Sequence, residues 1–258
     1  MSSVLFHIEN SIAFITLNRP DKLNSFNREM AMLFQNYLDE AASIKEVRCL
    51  YITGSGKGFC SGQDLSEVID PNGPGMDKIL SEHFNPIIKK IRNIPKPVVA
   101  AVNGVAAGAG VNIALACDIV VSNNSAVFIQ AFSKIGLIPD SGGTYTLPRL
   151  IGLQRASALM MLGDKITAHE AYQMGMIYKV FDNENFNGES TSIANTLASM
   201  PTKALAYIKH ALNQSFLNSM EQQLELEDNY QQKAAATFDF KEGVNAFLEK
   251  RLPIFKGE

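Results

Sequence analysis

Cysteine is scarce in this chain. Cys49, Cys60 and Cys117 are an odd set without metal-ligand spacing. That argues against a disulfide framework and fits a reducing cytoplasm. Charge of one sign is lacking too. A net charge of −3, with 19% charged residues, offers no electrostatic basis for nucleic acid or an anionic membrane as main partner. The longest apolar run, around Pro97–Val102, is too short to span a bilayer. The opening MSSVLFHIEN has no basic stretch followed by an apolar one, so no signal peptide is read there. His7, His83, His169 and His210 are scattered, with no H-E-x-x-H and no Cys/His cluster, so no metal site is expected. The G-x-S-x-G elbow of serine hydrolases is also missing.

What is present is a chain of 258 residues, 46% hydrophobic, suited to a sizeable core. Val4–Ile8 and Ile12–Leu17 read as a hairpin of two strands. Met30, Leu33, Phe34, Tyr37, Leu38 and Ala41 recur on one helix face. Val47–Thr53, Val98–Val102 and Ile119–Ser122 read as buried strands separated by helices near 79–93 and after 108. That alternation predicts parallel strands with right-handed crossovers. Residues 66–78, with Pro71, Gly73, Pro74 and Gly75, read as mobile or irregular. Thr167-Ala-His-Glu170 reads as a capping box opening a short helix that stops near Gly175. Helices are expected at 203–217, 220–236 and 240–250. The division is therefore an α/β core over 1–195 and a helical region over 196–258.

Three glycine-bearing stretches invite a chemical reading. GSGKGFCSGQDL (54–65) fails the phosphate-loop pattern because Gly58, not Ser or Thr, follows Lys57. Alone it reads equally as a flexible surface turn. In NGVAAGAG (103–110), Gly104, Gly108 and Gly110 lack the dinucleotide spacing. Small residues there leave the amides of a helix start unshielded, which suits a developing oxyanion, or else simply allow close packing. LIPDSGG (137–143) is ordinary turn chemistry around a single acid, Asp140. Cys60 reads as a small packing group.

Taken together, NRPDKLNSF (18–26), FCSGQDL (59–65), NGVAAGAG (103–110), CDIVVS (117–122), KIGLIPDSGGTYTLPRLIG (134–152) and LGDKITAHEAYQMGMIYKV (162–180) resemble the enoyl-CoA hydratase/isomerase superfamily, the crotonase fold, in order and spacing. The resemblance implies an α/β spiral of β-β-α turns with a C-terminal helical assembly region. It implies homo-oligomers, trimers or dimers of trimers, with possible association with other acyl-CoA pathway enzymes. The implied substrate is an acyl-CoA thioester, with no metal and no cofactor beyond the coenzyme A of the substrate. The oxyanion-holding amides implied are those of Gln63 and Ala109. Lys22, Leu23, Ser61, Asp64, Gly108 and Phe132 fall where the family contacts CoA or acyl group, and Phe255 and Lys256 where a neighbouring subunit's CoA is reached. The two glutamates of the hydratases fall at Asn112 and Phe132, neither of which can be a carboxylate base. Asp140 is left as the acid facing the acyl carbons, with Phe132, Ile135, Leu137 and Ile138 expected to desolvate it. The run 131–150, with GQDL before and LEDNYQQ (226–232) after, resembles an isomerase branch acting on a ring-epoxide thioester. Hydration of enoyl-CoA and straight-chain isomerisation in fatty-acid oxidation are the alternatives.

Overall fold

Two residues with positive φ, Asn10 (50°) and Ser11 (61°), fold β1 (Val4–Glu9) back onto β2 (Ile12–Leu17) in the computed structural model, which describes residues 2–258. Glu9 faces Ile12, so this is a two-residue hairpin loop of the kind whose twist matches its strands. Helix α1 (Arg28–Ser43), capped by the Asn27 side chain accepting from the Met30 amide, buries Met30, Phe34, Leu38 and Ala41. The chain then winds through three similar turns. The first supplies β3 (Cys49–Gly54) and β4 (Gly58–Cys60), the second β5 (Val98–Val102) and β6 (Val105–Ala107), the third β7 (Ile119–Asn123) and β8 (Val127–Ile129). Each turn gives one strand to each of two sheets. One runs β1-β2-β3-β5-β7-β10, with β10 at Lys179–Phe181, and is parallel from β2 onward. The other runs β4-β6-β8-β9, with β9 at Lys165–Thr167 antiparallel to β8. The spiral of β-β-α turns is therefore present.

The larger sheet is buried on both faces. Leu50, Ile52, Val98, Ala100 and Val102 enter the main core, while Cys49, Tyr51, Val99 and Ala101 point to a second cluster. Between the turns run α2 (Leu65–Val68), α3 (Gly75–Lys78), a π-helical stretch Ile79–Phe84 continuing into α4 (Asn85–Asn93), and α5 (Ala109–Ala116). After β8 come α6 (Gly143–Ile151), α7 (Leu153–Leu162), α8 (Ala168–Gln173) and α9 (Phe186–Ser199). Helix α9 covers the second cluster, and the Tyr51 hydroxyl meets Ser190 Oγ at 2.7 Å. The capping box at Thr167 is formed as expected, with Glu170 at N3. Helices α10 (Thr202–Gln214), α11 (Met220–Ala235) and α12 (Phe238–Glu249) complete the helical C-terminal region. Lys209 fastens α10 to the core, donating to the carbonyls of Ile91 and Lys96 and pairing with Asp118 at 2.8 Å.

Two expectations are corrected. Residues 54–65 are no surface turn, because Gly58, Phe59 and Cys60 form a fully buried strand. The glycine that ends β3 beside it is required: a Cβ on Gly54 would stand 2.3 Å from the Gly58 carbonyl. Residues 66–78 are not irregular throughout, since α2 and α3 occupy parts of them.

Candidate active site

The parallel strands β4, β6 and β8 end side by side, and each hands its chain to one part of a cleft. Ligand sites in parallel α/β sheets form at such carboxyl ends. Beyond β4 lie Ser61–Asp64, beyond β6 lie Gly108 and Ala109, and beyond β8 lie Phe132 and Asp140. The cleft has a volume of about 330 Å³. Its sequence-expected members are Ser61, Gln63, Asp64, Gly108, Ala109, Phe132 and Asp140, brought together from segments up to 79 residues apart (140 − 61). Ser25, Leu65, Val68, Met76, Ile79 and Ala131 were not anticipated. Their signal is weak: Leu65/Val68 is an i,i+3 pair on a very short helix, and Met76/Ile79 straddles the end of another.

Backbone geometry readies two amides. The Phe26 amide donates to the Gly62 carbonyl at 2.7 Å, and the Asp64 amide donates to the Phe26 carbonyl at 2.8 Å. Amides alternate along an extended segment, so the intervening Gln63 N–H is turned away from Phe26. Gly62, at φ +89°, lets this segment abut the next: a Cβ there would lie 3.3 Å from the Ala109 nitrogen. Ala109 opens α5, where an amide has no intrahelical acceptor. Neither N–H donates to an acceptor among the described residues. Gly110 makes the approach of α5 possible, since a Cβ would stand 2.1 Å from the Cys60 carbonyl. The Phe132 ring packs over Gly108, within 3.7 Å of where a Cβ would lie.

The two cleft carboxylates differ in environment. Burial pulls Asp64 upward, but the Arg19 guanidinium at 2.9 Å and the Ser66 amide outweigh it and leave its carboxyl below the ordinary value. Burial pushes the Asp140 carboxyl above its ordinary value, against a smaller opposing pull from the Ser141 hydroxyl at 2.8 Å. Such divergence marks which carboxyl can exchange protons and which stays charged. Ser141 (φ 52°) and Gly142 (φ 73°) carry the chain round behind Asp140 into α6, with the Gly143 amide closing the turn on the Asp140 carbonyl at 2.8 Å. Turn chemistry and acid therefore coincide at LIPDSGG. Ile135 and Leu137 line the cleft with Asp140, but Ile138 does not: it is 81% exposed, so it cannot desolvate the acid as expected.

Asn112 is buried and turned to Asp140 and Gln130 rather than lining the cleft. Lys22 and Leu23 lie next to the cleft, where their carbonyls accept from the Ser61 hydroxyl (3.2 Å) and amide (2.9 Å). Phe255 and Lys256 are elsewhere in the chain. Phe255 packs against Gly243, Lys256 sits over the Phe238 ring at 4.3 Å, and the Lys256 amide donates to Asp239. The three cysteines are buried as free thiols, and burial pushes that of Cys60 up to about 12. Among the described residues no three or more His, Cys, Asp or Glu side chains come together as a metal ion would need. No helix among them is long and apolar enough to cross a membrane.

Residues 7–258 match the sequence profile of the family described as enoyl-CoA hydratase/isomerase. The chain is 46% identical over 261 residues to 1,2-epoxyphenylacetyl-CoA isomerase of Escherichia coli (strain K12), covering 100% of each. It is 34% identical to 2,3-dehydroadipyl-CoA hydratase of the same organism, again covering 100% of each. A crystal structure of enoyl-CoA hydratase from Bacillus anthracis superposes with a TM-score of 0.93 at 31% identity, covering 99% of this chain and 100% of that one.

Proposed function

This chain belongs to the enoyl-CoA hydratase/isomerase family, and on that premise we propose that it is an acyl-CoA isomerase in which Asp140 carries a proton between two carbons of the acyl group. The observation that supports this most is the composition of the cleft: two unpaired amides, apolar walls, one charged acid already paired, and one desolvated acid. A two-carboxylate addition of water lacks its groups, since Asn112 is spent on the Asp140 carbonyl and Phe132 is a wall.

The Asp140 carboxylate takes a proton from the carbon beside the thioester carbonyl. The C–H electron pair moves onto the carbonyl oxygen, and the Gln63 and Ala109 amides hold the resulting enolate oxygen. Loss of one such donor typically costs about 2.7–4 kcal/mol. The Asp140 acid then returns the proton to a carbon further along the conjugated chain, so no atom is gained or lost. For a 3-enoyl thioester this yields the 2-enoyl isomer. For the ring 1,2-epoxide of phenylacetyl-CoA it accompanies expansion to the seven-membered oxepin thioester. The 46% identity to the Escherichia coli 1,2-epoxyphenylacetyl-CoA isomerase supports that substrate, and hence a place in aerobic phenylacetate degradation. Such a reaction needs no cofactor beyond the coenzyme A of the substrate. Gly108, Ser61, Asp64, Lys22 and Leu23 are assigned to the acyl and pantetheine side of the cleft. Phe255 and Lys256 are left for a neighbouring subunit's CoA. Buried free thiols support a reducing cytoplasm as its location.

The test is direct. Wild type and Asp140→Asn are incubated with the ring epoxide thioester and with a 3-enoyl-CoA. Wild type is expected to convert both, and Asp140→Asn to lose about 10²–10⁴-fold in rate. Rapid hydration of crotonyl-CoA, undiminished in Asp140→Ala, would overturn the reading in favour of a hydratase.

A further inference from the structure

Helix α5 begins at Ala109, and one turn later, on the same side, stands Asn112. It is 2% exposed. Its Nδ2 donates to the Asp140 carbonyl at 2.8 Å, and its Oδ1 accepts from Gln130 Nε2 at 2.8 Å. The direction of the carboxamide is thereby settled: its nitrogen faces a carbonyl, which can only accept. Gly143 lies directly on it, since a Cβ there would stand 2.4 Å from Nδ2. With the Gly143 amide, Asn112 is the second donor on one carbonyl oxygen.

From this we infer that Asn112 is a positioning residue, holding Asp140 in register with the Ala109 amide so that base and oxyanion donor act on one bound acyl group. The inference rests on the isomerase reading above. One helical turn separates Ala109 from Asn112, and one hydrogen bond separates Asn112 from the residue carrying the acid. Base and donor come from different turns of the spiral; the β6–β8 ladder joins those turns upstream, and this tie joins them at the site itself. The residue must be an amide. A carboxylate here would set an acceptor against the Asp140 carbonyl and leave that carbonyl one donor short. Gln130 keeps the amide from rotating, so a change at Gln130 is transmitted to Asp140 through Asn112.

The titratable side chains on the elements around the Asp140 loop are Asp64 across the cleft, Lys134 on the preceding turn, Tyr145 and Arg149 on α6, and Lys89, Lys90 and Arg92 on α4. Helix α5 has none. Among the described residues, only Ser141 hydrogen-bonds the Asp140 carboxyl.

The experiment compares Asn112→Asp, which keeps the shape and loses the donor, with Asn112→Ala. In both, kcat on the 3-enoyl-CoA is expected to fall roughly ten- to a hundred-fold, the equivalent of one buried bond lost, with KM changed less than about twofold. In an Asp140→Asn background the same changes are expected to do nothing further. Losses that multiply in that background, or an unchanged kcat in a folded variant, would overturn the inference. A second readout needs no turnover: the titration of the Asp140 carboxyl, followed by carbon NMR in substrate-free protein. In Asn112→Ala its midpoint is expected to move down toward the ordinary carboxylate range as the loop admits water. An unmoved midpoint overturns the inference even if wild type isomerises. A moved midpoint in a protein that isomerises nothing sinks the isomerase reading while upholding the tie between Asn112 and Asp140.

Discussion

Asp140 is an acid kept partly from water, so its effect on stability runs opposite to that of an ion-paired carboxylate. Burial raises its folded-state affinity for the proton above that of the unfolded chain. The folded protein therefore binds more protons between the two midpoints, and stability falls as pH rises through that window. At neutral pH the ionised group is a liability to folding. Asp140→Asn is accordingly expected to melt at a higher temperature than wild type at pH 7. The gain should vanish below the ordinary aspartate range, where the wild-type acid is protonated in both states. Thermal melts at the two pH values check this, and a variant that is less stable at pH 7 would show that the desolvation is compensated. Asp64 behaves oppositely: with Arg19 beside it, its contribution is present at neutral pH and lost on acidification. The sequence alone could not separate these two acids, because their difference comes from Arg19, which is 45 residues away from Asp64 (64 − 19).

Helix α5 and strand β4 meet so closely that one glycine decides their spacing. Gly110→Ala would place a methyl group 2.1 Å from the Cys60 carbonyl, which is backbone and cannot swing aside. The expected loss is about 3 kcal/mol, the upper end of typical overpacking, read as a lowered denaturant midpoint with unchanged slope. An unchanged midpoint would mean that α5 can shift freely. The longer elements were legible from pattern: β2, β5 and the three C-terminal helices lie close to their expected ranges. The second strand of each turn was not. Gly58–Cys60, Val105–Ala107 and Val127–Ile129 have three residues each, too few for alternation to register. Helix α9 escaped for another reason. Its buried face is Phe186, Ser190, Ala194 and Ala198, so small and polar residues stand where periodicity looks for large apolar ones.

At the scale of the molecule, the C-terminal helices leave Phe247 (82%), Leu248 (72%), Leu252 (87%) and Ile254 (74%) open to solvent in the single chain. Large apolar side chains left this exposed near one chain end are a signature of association. The proposed assembly is a trimer or dimer of trimers, with these residues in the contact. Phe247→Glu is expected to lower the mass seen by light scattering while leaving the fold's circular dichroism intact. A wild-type monomer, or an unaltered oligomer in the variant, would count against it.

The sequence by itself determined the family, the α/β spiral with its helical end, and the absence of a carboxylate at 112 and 132, because these depend on local pattern, motif order and residue identity. Only the tertiary structure decided that 54–65 holds a buried strand, that Ile138 stays exposed outside the cleft, and that Asn112 grips the Asp140 carbonyl. The buried strand and the Asn112 bond are contacts between segments distant along the chain. They exist only after three parallel strands have brought their carboxyl ends together.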